Sequence, residues 1–210
     1  MFKLSNRLIA LTATLLAVFV CAPEPAAAQG MSPLVPAIGT TMKYQGFDDR
    51  DTGCQAYVPY DQYVKIAGRV ILPETKANVF YFLEAWGRDS ETIVLRFTPN
   101  GDVVQYYLGA EGTTFVRGPV GTYSEVTDPS SGNTLRYEVV ADGLTRTVPA
   151  GTYNNVIRLE LSCMTCGPSP VLLERHYVSP EVAFPIVTII WDAQHQCWAR
   201  WHSLVSVSRK

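Results

Sequence analysis

An all-β, mainly antiparallel fold is what this sequence predicts: a meander of hairpins forming a curved sheet, half-open barrel or sandwich. Three observations predict it. Short runs rich in Val, Ile, Thr, Tyr and Phe recur along the chain, and turn residues punctuate them at hairpin spacing. Asn100-Gly101 and Asp142-Gly143 are dipeptides that accept the positive φ angles of a tight hairpin turn. Apolar and charged residues alternate in Leu135-Arg136-Tyr137-Glu138-Val139 and in Ile157-Arg158-Leu159-Glu160-Leu161, as a half-buried antiparallel strand requires.

Taken in order, the candidate strands begin with Thr41–Phe47, Tyr63–Leu72, Asn78–Trp86, Thr92–Thr98, Asp102–Leu108 and Thr113–Arg117. A second group follows with Thr134–Val140, Leu144–Val148, Tyr153–Cys163, Val171–Val178, Ile186–Trp191 and Trp198–Val207. Asp48–Gln62 reads as a long loop, and Gly118–Asn133 as another that carries the turn cluster Asp128-Pro129-Ser130-Ser131-Gly132-Asn133. The runs Val79–Trp86 and Ile186–Trp191 are apolar on both faces, so a second layer or a ligand is expected over the outer one. No long amphipathic helix is legible.

The N-terminus has the pattern of an export signal over residues 1–28. Lys3 and Arg7 precede the uncharged apolar run Leu8–Val20, and small residues at Ala26 and Ala28 place cleavage before Gln29. The run is shorter than the roughly 20 apolar residues of a membrane span, so no transmembrane span is expected in the mature chain. Lipid attachment at Cys21 would want a small residue before it, where Val20 stands. Residues 29–37 read as a leader across the surface, and residues 38–210 as a single β-rich domain in a periplasmic or extracellular protein. Cleavage would leave 15 Lys and Arg against 18 Asp and Glu, a net charge of −3. That balance lacks the basic stripe of a nucleic-acid binder.

Export changes how the cysteines read. Cys54, Cys163, Cys166 and Cys197 remain after cleavage, and an even count in an oxidising compartment favours two disulfides. Cys163–Cys166 with Cys54–Cys197 is one pairing, and Cys163–Cys197 with Cys54–Cys166 is another that facing strands allow. Cys163-Met164-Thr165-Cys166 ends a strand, whereas a thioredoxin-type motif opens a helix. Gly167 stands where covalent haem attachment needs His. His195-Gln196-Cys197 is an irregular second pair for zinc, and Arg50 breaks any calcium-loop pattern in Asp48-Asp49-Arg50-Asp51. No metal and no cofactor is expected.

Between Asp142 and Pro185 the segments Val148-Pro149-Ala150-Gly151-Thr152-Tyr153-Asn154-Asn155-Val156 and Tyr177-Val178-Ser179-Pro180-Glu181-Val182 carry a resemblance. The chain here resembles uncharacterised exported bacterial β-proteins, lipoprotein-carrier-like in outline, in which a VPAGTF hairpin precedes a glycine-rich turn. Glu181 and Ala183 stand where that pattern has glycines. The resemblance implies a curved sheet and transfers no catalytic residues.

No G-x-S-x-G occurs, and His176, His195 and His202 sit in no recognisable nucleophile motif. The aromatic residues are mainly core, but Phe80, Phe82, Trp86, Tyr106 and Trp191 are candidate ligand-binding residues lining an apolar cleft. The expectation is therefore an exported, envelope-associated, non-enzymatic protein that binds a hydrophobic small molecule or lipid. A structural or protein-interaction module, or a hydrolase with an unrecognised site, is the alternative. Convergent Asp, His or Glu side chains in one pocket would favour the enzyme.

Overall fold

The computed structural model describes residues 37–49, 52–71, 79–98, 102–107, 110–128, 131–182 and 184–208. The expected signal segment, residues 29–36 of the leader and the Asn100-Gly101 turn lie outside them.

The fold is all-β and antiparallel. The first six strands are β1 (Thr41–Asp48), β2 (Val58–Ile71), β3 (Val79–Gly87), β4 (Glu91–Phe97), β5 (Val103–Tyr107) and β6 (Ala110–Phe115). The second six are β7 (Tyr123–Thr127), β8 (Thr134–Val148), β9 (Gly151–Cys163), β10 (Val171–Val178), β11 (Pro185–Asp192) and β12 (Cys197–Ser208). They form one sheet in the order β6-β5-β4-β3-β2-β1-β12-β11-β10-β9-β8-β7. Two up-and-down meanders are thus joined through the long-range pair β1–β12, in which Thr41 faces Ser208 and Asp48 faces Arg200.

The sheet is open but strongly curved. Phe97 of β4 meets Phe184 of the β10–β11 loop at 6.4 Å between ring centroids, and Phe115 of β6 meets His176 of β10 at 5.2 Å. Strands far apart in the sheet order therefore touch across its concave side. Alternation decides which side chains go there. In β1, Met42, Tyr44, Gly46 and Asp48 are buried while the residues between them are not. The inner face is filled by Met42, Ile66, Leu83, Leu95, Ile186 and Leu204, and a second cluster joins Val116, Val139, Ile157, Leu159 and Val178.

The sequence misjudged three elements. Asp142-Gly143 is no hairpin turn. Thr134–Val140 and Leu144–Val148 form the one strand β8, which absorbs the dipeptide in a run of register shifts with Gly143 at φ 61°. The extra residues bend the strand, and the true turn follows at Pro149-Ala150. This tip reaches β12, where the Ala150 N–H donates to the Leu204 carbonyl at 3.1 Å. Val148, Tyr153 and Val156 join the main core there, so the VPAGTY segment caps one end of the interior. Second, Tyr123–Thr127 is the edge strand β7, inside a segment read as loop. Its alternation is visible only in exposure, because Ser, Glu and Thr occupy it. Third, β2 starts at Val58, which shortens the expected Asp48–Gln62 loop.

Cys54 is bonded to Cys197 and Cys163 to Cys166, with Cα separations of 6.3 and 5.5 Å. The first bridge ties the β1–β2 connection to the start of β12. The second closes the turn after β9.

Candidate functional site

The register of β3, β2, β1, β12 and β11 sorts their outward residues into rows. Trp86, Tyr63, Lys43 and Ser206 form one row; Asp61, Gln45, Ser203 and Val187 form the next; Pro59, Phe47, Trp201 and Ile189 form the third. An aromatic row, a polar row and a second aromatic row therefore lie side by side.

In the first row the Trp86 and Tyr63 rings stack at 5.3 Å with planes 5° apart, and Lys43 Nζ lies 5.5 Å from the Tyr63 centroid. In the polar row Asp61 is held from two sides. Lys43 Nζ stands 2.9 Å from Oδ2, and Gln45 Nε2 donates to Oδ1 at 2.9 Å. The Lys43 hydrogen bond, followed by that of Gln45, lowers the Asp61 pKa, and the same contact with Asp61 raises that of Lys43. In the third row Trp201 meets Phe47 at 5.0 Å, and Tyr57 packs its ring edgewise at 5.1 Å. Tyr57 is anchored by donating its O–H to the Trp198 carbonyl at 3.2 Å.

A groove of about 460 Å³ runs over the second and third rows. It is lined by Gln45, Phe47, Asp61, Trp201 and Ser203, with Gly46, Pro59 and Tyr60 completing it. Phe47, Tyr57 and Trp86 keep about 40% of their surface in water (39, 41 and 39%).

Of the residues expected to bind ligand, Phe82, Trp86 and Trp191 fall on this outer side, with Trp191 apart from the other two. Leu83 and Ala85 are buried, so Phe82 and Trp86 point outward. Trp191 is on the same outer face, where it packs edgewise on Trp198 at 4.8 Å, and Arg175 stacks over Trp198 at 4.9 Å. Strands β2, β1 and β12 separate Trp86 from Trp191. The side chains of Phe80 and Tyr106 lie outside the described residues; the ladders set Tyr106 opposite Val94, which faces Phe82. The concave side is occupied by the protein's own core. None of the groove's lining residues, Phe47 and Trp201 included, was assigned to a site from sequence. Phe47 did leave a signal: it falls in register with Lys43 and Gln45 on the polar face of β1, where an aromatic breaks the pattern.

A second polar arrangement is buried on the inner face. Asp48 has a fully buried side chain and receives Arg200 Nε at 2.9 Å and Nη2 at 2.7 Å, while Arg88 Nε lies 2.7 Å away. Arg200 Nη1 also donates to Asp89 at 2.7 Å, and its guanidinium lies 5.5 Å from the Tyr60 ring. The Tyr60 hydroxyl then meets His202 Nδ1 at 2.7 Å. Gly46 makes this contact possible. It pairs with Tyr60 on one side and His202 on the other, and a Cβ there would overlap the Trp201 carbonyl and His202. Burial, with the neighbouring His176 adding to it, pushes the His202 pKa down to about 4. The ring is therefore neutral where it shares a hydrogen bond with the Tyr60 hydroxyl.

His176, only 4% exposed, continues the series. Its Nδ1 is 3.2 Å from Thr188 Oγ1. Glu174 Oε2 lies 2.9 Å from Nε2, close enough for charge pairing but out of line for a hydrogen bond, so Nε2 is left without one. Among the described residues no three His, Cys, Asp or Glu side chains are grouped to hold a metal ion. Also among them, no helix is long and apolar enough to cross a membrane. No family model, no curated protein and no solved structure matches the chain.

Proposed function

We propose that this is an exported, envelope-associated binding protein without enzymatic activity, and that its ligand seats in the groove on the outer face of β2, β1 and β12. One observation carries the reading: large aromatic rings stay exposed around a groove while the concave side is filled with core. Leaving Phe47 and Tyr57, the two rings packed on Trp201, 39 and 41% exposed has a solvation cost, and a ligand with a flat apolar face relieves it. The two disulfides suit an oxidising compartment, which agrees with the export pattern of residues 1–28. The buried His176 and His202 line neither this groove nor the smaller one of about 130 Å³ beside Arg136 and Glu160, so the hydrolase alternative gains nothing from them.

The test uses an apolar fluorescent dye on the folded protein, with Phe47→Ala and Trp201→Ala as variants. Dye binding that falls at least fivefold in both variants, with unchanged circular dichroism, is the expected result. Equal dye binding by all three proteins would place any site elsewhere and overturn the reading.

A further inference from the structure

We infer that the ligand of the groove is an oligosaccharide, an inference that rests on the binding-protein reading above. Three features of the outer face carry it. The groove is not lined by apolar groups alone. Asp61, Gln45 and Ser203, the middle row of the outer face, line it, with Lys43 close by, and Asp61 is a carboxylate whose own neighbours hold it ionised. An acyl chain laid along the groove would strip water from that carboxylate and from the Gln45 amide and return no hydrogen bonds, which is costly. A sugar supplies hydroxyls that donate to Asp61 and Ser203 and accept from Gln45 and Lys43, so polar desolvation is repaid contact by contact.

The second feature is the pair of aromatic platforms flanking this row. One is Tyr63 stacked with Trp86; the other is Phe47 with Trp201. Sugar rings are apolar on the faces that carry axial C–H groups and polar around the rim. Such a ring lays its C–H face on an indole or phenyl ring and turns its hydroxyls toward polar neighbours, which matches an aromatic–polar–aromatic layout.

The third feature is spacing. Residues on one face of a strand repeat every two positions, so the Tyr63 and Phe47 rows stand about 13 Å apart. That reach suits several linked sugar rings and exceeds one. Preorganisation adds to the case. Tyr57 braces Trp201 and is itself hydrogen-bonded to Trp198, and Lys43 and Gln45 fix Asp61, so little side-chain freedom remains to be lost on binding.

The experiment titrates the full mature chain with cellotetraose, maltotetraose and chitotetraose, with their monosaccharides, and with laurate, following tryptophan fluorescence and calorimetry. At least one tetrasaccharide is expected to bind at least tenfold more tightly than its monosaccharide. Trp201→Ala is expected to weaken it tenfold or more, and Trp201→Phe to restore most of the loss. Trp86→Ala is expected to remove most of the advantage of the tetrasaccharide over the monosaccharide, because it dismantles the distant platform. Asp61→Asn should weaken sugar binding and leave the thermal midpoint nearly unchanged. Laurate binding that depends on Trp201, with no tetrasaccharide bound, would overturn the saccharide inference and leave the binding-protein reading standing. No Trp201-dependent binding of any probe, dye included, would overturn both.

Discussion

At the end of the interior capped by Val148, Tyr153 and Phe184, the concave face holds Met42, Ile66, Ile186 and Leu204 and is held together by apolar burial. At the opposite end, where β1 finishes and β12 begins, the same face holds Asp48, Arg200, Tyr60 and His202. The strands are shared; only the residues along them change. Apolar burial stabilises without direction, so a neighbour of the right size can be exchanged for another. The charged end depends on particular partners in particular geometry. Removing one deprives a buried charge of a partner, which costs more than the pair itself contributes. Against one another, the two ends should fail in different ways.

The largest effect is expected from breaking the bridge that closes the charged end. Cys54–Cys197 spans 143 residues, and chain entropy alone assigns such a loop about 5 kcal/mol, against about 2 kcal/mol for the three-residue separation of Cys163–Cys166. C54S/C197S should therefore lose clearly more stability in urea than C163S/C166S. Equal losses would mean that the long bridge does not constrain the unfolded chain. Next comes Arg200→Ala, with a loss of about 4 kcal/mol, because Asp48, with no exposed side-chain surface, loses the guanidinium that contacts it through Nε and Nη2. Leu204→Ala at the apolar end should lose about 3 kcal/mol by leaving a cavity. Restoring bulk distinguishes the ends. Leu204→Met should recover most of that loss, whereas Arg200→Met, similar in length and uncharged, should recover little. Recovery by Arg200→Met in urea unfolding would show that packing, not pairing, holds the charged end.

The difference between the ends also explains what the sequence could disclose. Alternation such as Ile157-Arg158-Leu159-Glu160-Leu161 is a local pattern, so the apolar face, the antiparallel class and most strands were legible from residues a few positions apart. The Asp48–Arg200 contact spans 152 positions and Tyr60–His202 spans 142, and nothing local to either residue announces its partner. The Asp142-Gly143 error has the same origin. The dipeptide accepts a turn or a bulge equally, and the choice is made by the tip of the hairpin docking on Leu204. On the outer face, Trp86 and Trp191 were legible as candidate residues from their apolar runs, but neither lines the groove. Trp201 and Phe47 became neighbours only through the β1–β12 pairing of the chain's two ends.

The smallest effect expected is a pH dependence confined to the charged end. His202 faces Tyr60 of β2 at 2.7 Å and the ring of Tyr44 of β1 at 5.0 Å, with His176 and Glu174 of β10 acting on it from beyond and Arg200 on its own strand. Its pKa falls from 6.5 to about 4 in the folded chain, with burial as the main cause. Below pH 6.5 the unfolded chain takes up a proton that the folded chain refuses, so stability is full above pH 6.5 and declines as pH falls toward 4. At pH 5 the loss is about 2 kcal/mol, since each pKa unit carries about 1.4 kcal/mol and most of the interval has been crossed. Asp61 and Asp192, whose pKa values are lowered by their partners, act in a separate window: their contribution is present above 3.8 and is lost only below it. Urea unfolding of the wild type at pH 7, 6, 5 and 4.5 should show this decline, and His202→Phe should flatten it while leaving Leu204→Ala as pH-dependent as the wild type. A decline of the same size in His202→Phe would overturn the assignment of the pH dependence to His202.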